Sequence, residues 1–107
     1  MPTTLPTLDE LIGRPEYPPN CLTDFYFSQL STLRVNTLTI HAEIEGMTYL
    51  PWLTECLQRA KQQQIVFLKI QDVAHQALAN RDIIPVCELI QGTIDGRSGT
   101  LAVQKGE

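Results

Sequence analysis

At 107 residues, with eight basic residues against twelve acidic ones and a formal charge of −4, the chain has room for one modest core and lacks the clustered positive charge that nucleic acid demands. No apolar run approaches the roughly 20 residues needed to span a bilayer, and the opening MPTTLPTLDE has neither the basic start nor the apolar stretch of a signal peptide, so a cytoplasmic location is expected. Cys21, Cys56 and Cys87 are widely spaced and form no C-x-x-C pair, a pattern of reduced, packed thiols and not of a disulfide or zinc framework.

The first 19 residues hold five of the seven prolines, which predicts a loop-rich start with at most a short turn over residues 9–12. Asn20 and Thr23 are both good N-caps, Asp24 suits a first helical turn, and Leu22, Tyr26, Leu30 and Leu33 share a stripe. Together they predict a helix of about three turns. Residues 38–46 then read LTIHAEIEG. Branching at Cβ favours an extended chain here, so a strand is expected over 35–42, with Val35, Thr37 and Thr39 on one face and Leu38 and Ile40 on the other. Neither face is purely polar, which suits a strand covered on both sides. His41 falls at the strand's end, Glu43 shares its face if the extension continues, and Gly46 closes the element.

After Gly46, Pro51 suits a first helical turn, and Leu50, Leu53, Leu57 and Ala60 repeat at helical spacing before Lys61 and Gln62 to Gln64 end the helix. IVFLKI, residues 65–70, is a short β-rich run that predicts a second buried strand, and Ile70, Val73, Ala74, Ala77 and Leu78 mark another amphipathic helix. Two strand-like pieces flank DGRSG, residues 95–99, whose Asp-Gly favours a tight turn. Strand, helix, strand, helix and a short C-terminal hairpin is an α/β order, with parallel pairing through a right-handed crossover. Two parallel strands alone are marginal, so neighbours are expected for them.

Several side chains carry both a chemical and a plain reading. Histidine holds and releases a proton near neutral pH, which suits His41 to protonate a departing group. Its plain use is a buried or capping imidazole. Glu43, on the same face, would orient the ring, although Glu43 and Glu45 are by default solvated carboxylates beside a turn. Asp9 and Glu10 are candidates to contact a substrate or, more simply, to cap the turn at Leu11 and Ile12. Arg97 is placed to grip a phosphate from the DGRSG turn or to remain an exposed turn arginine. His75 falls on the polar face of its helix and reads as solvated. Trp52, Phe25 and Phe67 read as core aromatics and not as a sugar-stacking platform.

Three blocks taken together, TLPTLDELIG at residues 4–13, TIHAEIEG at 39–46 and GTIDGRSGTLAVQ at 92–104, resemble the C-terminal part of the polysaccharide deacetylase (NodB-homology) family, in particular its bacterial branch of deformylases. The resemblance runs along nearly all of this chain and covers about the last third of that family's domain. It implies a distorted β/α barrel, of which residues 1–107 would be a partial domain. It also implies metal-assisted removal of an N-formyl or other N-acyl group from a lipid-linked amino sugar, a step of lipopolysaccharide and lipid A modification. The family's strand-end histidine, the general acid on the leaving amine, falls on His41.

The aspartate-rich first motif and the helical histidine pair that supply the family's base and metal ligands do not occur in this chain. No cofactor is therefore expected in the chain itself, while a divalent metal is expected for the complete domain. The chain departs from the family at Thr100, where a tryptophan is usual. The resemblance implies as partners the N-terminal part of the barrel and the lipid-linked sugar, with a peripheral position at the inner membrane. Uncovered strand edges suggest self-association. The isolated chain is expected to be inactive. The competing readings are a small non-catalytic α/β module that binds a partner or the family's substrate, and a truncated gene product.

Overall fold

The structure, a computed structural model, describes residues 3–106. They fall into two compact units, the first running to Val66 and the second starting at Phe67.

The core of the first unit is built largely from the proline-rich start. Leu5, Leu8 and Leu11 are buried together with Leu22, Tyr26 and Trp52. A single 3-10 turn, Leu8–Glu10, brings Leu8 and the C-cap residue Leu11 to one face, because residues three apart eclipse one another on such a turn. A second 3-10 turn, Pro19–Cys21, leads into helix α1, Leu22–Ser28. Cys21 is the N-cap residue and makes no side-chain cap bond, so neither Asn20 nor Thr23 plays that part. Pro19 opens the lead-in turn, where its missing N–H costs nothing.

Helix α1 is seven residues long, shorter than the leucine stripe predicts. Just beyond it, Asn36 clamps Ser31, accepting from the Ser31 N–H at 2.9 Å and donating to the Ser31 carbonyl at 2.8 Å. Side-chain bonds of this kind compete with the helical ladder. Leu33 is left 95% exposed, off the stripe altogether.

Helix α2, Leu50–Gln62, forms where the sequence predicts it, with Pro51 in its first turn. Its buried stripe is Trp52 and Ala60, flanked by the partly buried Leu53 and Cys56, while Leu50 and Leu57 stay about half exposed. The tilted Trp52 and Tyr26 rings, 5.2 Å between centroids, join α2 to α1. Arg59 adds a second link, bonding Asp24 and lying 4.5 Å over the Phe27 ring. The helix ends in a Schellman motif, with Ile65 N–H on the Ala60 carbonyl at 2.9 Å and Gln64 N–H on the Lys61 carbonyl at 3.1 Å. Gln64 takes the left-handed conformation this needs, at φ 57°.

Neither expected parallel strand forms. Residues 35–41 and 65–69 carry no strand assignment. Among the described residues, Thr37 alone in the first stretch is tied by hydrogen bonds to another segment, its carbonyl accepting from the N–H groups of Thr4 and Leu5 at 3.1 Å and its N–H bonding the Thr4 hydroxyl at 2.8 Å. Branched residues favour extension, but a strand exists only through its neighbours.

The second unit holds helix α3, Ile70–Ala79, a 3-10 turn, Arg81–Ile83, and an antiparallel hairpin of β1, Leu89–Gly92, and β2, Leu101–Gln104. Leu89 faces Gln104 and Gly92 faces Leu101 across the ladder. Beyond the ladder, Lys105 bonds Glu88 through both side chain, at 2.8 Å, and backbone, at 2.9 Å. Between the strands, Arg97 N–H bonds the Ile94 carbonyl at 3.0 Å with Gly96 at φ 84°, the positive angle that the third position of a type II turn requires.

No described residue of this unit is buried, and Phe67, expected in a core, is 68% exposed. The α/β class thus takes the form of three α-helices and one antiparallel hairpin among the described residues, without parallel pairing. No helix among them is long and apolar enough to cross a membrane.

Candidate functional site around His41

His41 marks the point where a stretch without regular structure enters a turn. Its carbonyl accepts from the N–H groups of Ile44 at 3.1 Å and Glu45 at 3.0 Å. The Glu45 side chain folds back over the same turn, and its Oε2 accepts from the His41 N–H at 2.7 Å. Backbone and side chain therefore close the turn reciprocally, as at a capped helix start. Gly46 completes it by close approach, because a Cβ there would collide with the Ala42 carbonyl oxygen.

Folding back buries the acid and leaves the histidine at the boundary with water. The Glu45 side chain is 1% exposed and that of His41 32%, with His41 Nδ1 4.0 Å from Glu45 Oε2. Nδ1 is itself shut from solvent and has no hydrogen-bond partner; Glu45 Oε1 and Trp52 Nε1 share that condition.

Tyr26 lies close by. Its hydroxyl donates to the Pro6 carbonyl at 2.8 Å. Burial, followed by the charges of Glu45 and Glu10, pushes its pKa well above the usual 10.0. One phenol thus feels two carboxylates that are both buried. Glu10 is held by the first 3-10 turn, where its side chain accepts from the Thr7 N–H at 3.0 Å and its own N–H bonds the Thr7 carbonyl at 3.1 Å.

The predicted site residues are only partly brought together. His41 is at the turn, but the extended geometry that would align Glu43 with it ends there, and Glu43 is exposed. The carboxylate that meets His41 is Glu45, expected to be solvated and in fact wholly buried. A signal for it was present: His41 and Glu45 are four apart, the spacing of neighbours on one helical turn, whereas on a strand Glu43 would be the nearer acid of the same face. Glu10 serves the turn, and Asp9 beside it is exposed. Arg97 sits in the hairpin turn of the second unit and His75 is exposed on α3.

The three cysteines are free. Only Cys56 is packed, and burial pushes its thiol pKa up; Cys21 and Cys87 are exposed, not packed as expected.

The donor set does not fit a divalent metal. Among the described residues no three His, Cys, Asp or Glu side chains gather as ligands, and one Glu45 oxygen is already engaged by a backbone N–H. A catalytic divalent metal normally takes three protein ligands.

No family model matches the chain. It is similar to two proteins described as "Probable 4-deoxy-4-formamido-L-arabinose-phosphoundecaprenol deformylase ArnD". That of Wigglesworthia glossinidia brevipalpis is 35% identical over 106 residues, covering 98% of this chain and 36% of the relative. That of Shewanella sediminis is 32% identical over 105 residues, covering 97% of this chain and 33% of the relative. The chain therefore spans about a third of the length of the curated relatives it matches.

Proposed function

We infer, for a chain homologous along nearly its whole length to a third of these deformylases, that it is the C-terminal part of a metal-dependent hydrolase that removes the N-formyl group from a lipid-linked amino sugar. His41 is its general acid. Hydrolysis of a formamide breaks the C–N bond and releases formate and an amine, and the amine departs readily only if its nitrogen gains a proton as the bond breaks. The observation that carries this role is the placing of His41, partly exposed at the start of a turn, with Nδ1 turned inward against a buried carboxylate. The opposite ring nitrogen, Nε2, is then the one available to a substrate. No residue of this chain is assigned to activate the attacking water, since no donor set for a metal gathers among the described residues.

The same reading accounts for the apolar surface. Ile40, Val66, Phe67, Leu68 and Ile70 are all more than half exposed, and large uncovered apolar areas are costly in water. In this proposal the remainder of a β/α barrel covers them, and the whole acts in the cytoplasm against the inner membrane, where a lipid-linked substrate is anchored.

The test joins this chain to the rest of a relative's sequence and assays release of formate. The chain alone should give no turnover with any divalent metal added, and the joined protein should give metal-dependent turnover. In the joined protein His41→Asn should lower kcat by roughly a hundred- to ten-thousand-fold with substrate binding nearly intact. A folded His41→Asn protein working at the parent rate would overturn the assignment.

A further inference from the structure

We propose that Glu45 is the positioning residue for His41, holding the imidazole with Nδ1 inward so that Nε2 is the nitrogen that hands a proton outward. This rests on the reading of His41 as a general acid, but the structural claim can be tested apart from it.

Four observations converge. Glu45 Oε2 is fixed by the His41 N–H at 2.7 Å, so the carboxylate cannot swing away without opening the turn. The same oxygen is the nearest acid to Nδ1, at 4.0 Å, longer than a hydrogen bond but within the reach of a small ring rotation, and catalytic contacts commonly tighten when substrate binds. Nδ1 is buried without a partner, so it has no water to turn to. Finally, Oε1 of the same carboxylate is buried and unpartnered as well.

A carboxylate taken wholly out of water with one backbone bond to satisfy it is expensive to keep. A turn that needed only a cap would do as well with an exposed glutamate or a glutamine. A basic group, the His41 ring, stands 4.0 Å from the Glu45 carboxylate. A carboxylate on one imidazole nitrogen selects the tautomer and orientation of the other. The sequence makes this local: four residues separate acid and histidine, and Gly46 lets the turn close tightly enough for them to meet.

The experiment is nitrogen-15 NMR of the His41 ring in this chain as it stands, at a pH where the ring is neutral. The expected result is the Nδ1–H tautomer, the reverse of the Nε2–H form that free imidazoles of histidine prefer. In Glu45→Leu, which removes the oxygen that faces Nδ1, the ring should revert toward Nε2–H. An Nε2–H ring in the parent chain, or a tautomer unchanged in a folded Glu45→Leu, would overturn the proposal. Should Glu45→Leu fail to fold, the parent tautomer still decides. The joined deformylase separates this from the functional reading. If the tautomer is as expected but His41→Asn leaves turnover intact, the positioning stands and the catalytic role falls. If His41→Asn abolishes turnover while the ring is Nε2–H, the reverse holds.

Discussion

The fully buried carboxylate of Glu45 reaches back over a single turn to accept the backbone N–H of His41 at 2.7 Å. The bond ties a conformational decision, where the extended chain stops, to a chemical one, which acid stands beside the histidine. Perturbing the turn should therefore move both.

Gly46→Ala tests that tie. The added methyl would meet the Ala42 carbonyl oxygen, and backbone at both ends of the turn leaves little to yield. A loss of about 1–3 kcal/mol is expected, the usual range for overpacking, with chemical-shift changes centred on His41 and Glu45. Urea unfolding and NMR of the variant check it; a variant as stable as the parent would show the turn to be slack.

Tyr26→Phe removes the bond to the Pro6 carbonyl and should cost about 1 kcal/mol at neutral pH. The sign of the pH effect follows from burial. With the folded pKa raised above 10.0, the phenol ionises more readily in the unfolded chain. Stability is whole below pH 10 and is lost as pH rises from there through the folded value, by at most about 1.4 kcal/mol per pH unit. The parent should fall more steeply than Tyr26→Phe between pH 9 and about 11, measured by urea midpoints at each pH.

Leu8 is fully buried in the 3-10 turn of the loop-rich start. Leu8→Ala should cost about 2–5 kcal/mol, the range for a leucine lost from a core. A change below about 0.5 kcal/mol, typical of a surface position, would mean that this segment is not part of the core.

Gln64 sits at φ 57° beyond the end of α2, a conformation that glycine adopts without the clash of a Cβ. Gln64→Gly should stabilise the chain by up to about 1 kcal/mol, seen as a higher urea midpoint. A loss of stability would count against the left-handed cap.

Thiol chemistry separates the cysteines. Cys21 and Cys87 are exposed, whereas Cys56 is partly buried with its pKa raised by that burial, which lowers its thiolate fraction. Alkylation at pH 8 followed by mass spectrometry should label Cys21 and Cys87 well before Cys56, and a denaturant should abolish the difference.

Local signals in the sequence determined helices α2 and α3, the Asp-Gly hairpin turn, Pro51 in the first turn of α2 and the glutamines at its end, and His41 as the residue to examine. Each depends on groups within a few residues of one another, so periodicity and turn chemistry suffice to read it. Tertiary structure alone decided the rest. Residues 35–42 and 65–70 have the composition of strands, yet a strand is a property of two segments, and among the described residues only Thr37 finds another segment to bond. Proline-rich residues 1–19 read as loop because proline punctuates, while burial of Leu5, Leu8 and Leu11 depends on the surfaces of α1 and α2 that come to meet them. The choice of Glu45 over Glu43 as the acid beside His41 followed from the same cause. An extended chain brings Glu43 nearest to His41 and a turn brings Glu45, and the turn places Ile44, between the two acids, against the core that holds Tyr26 and Trp52.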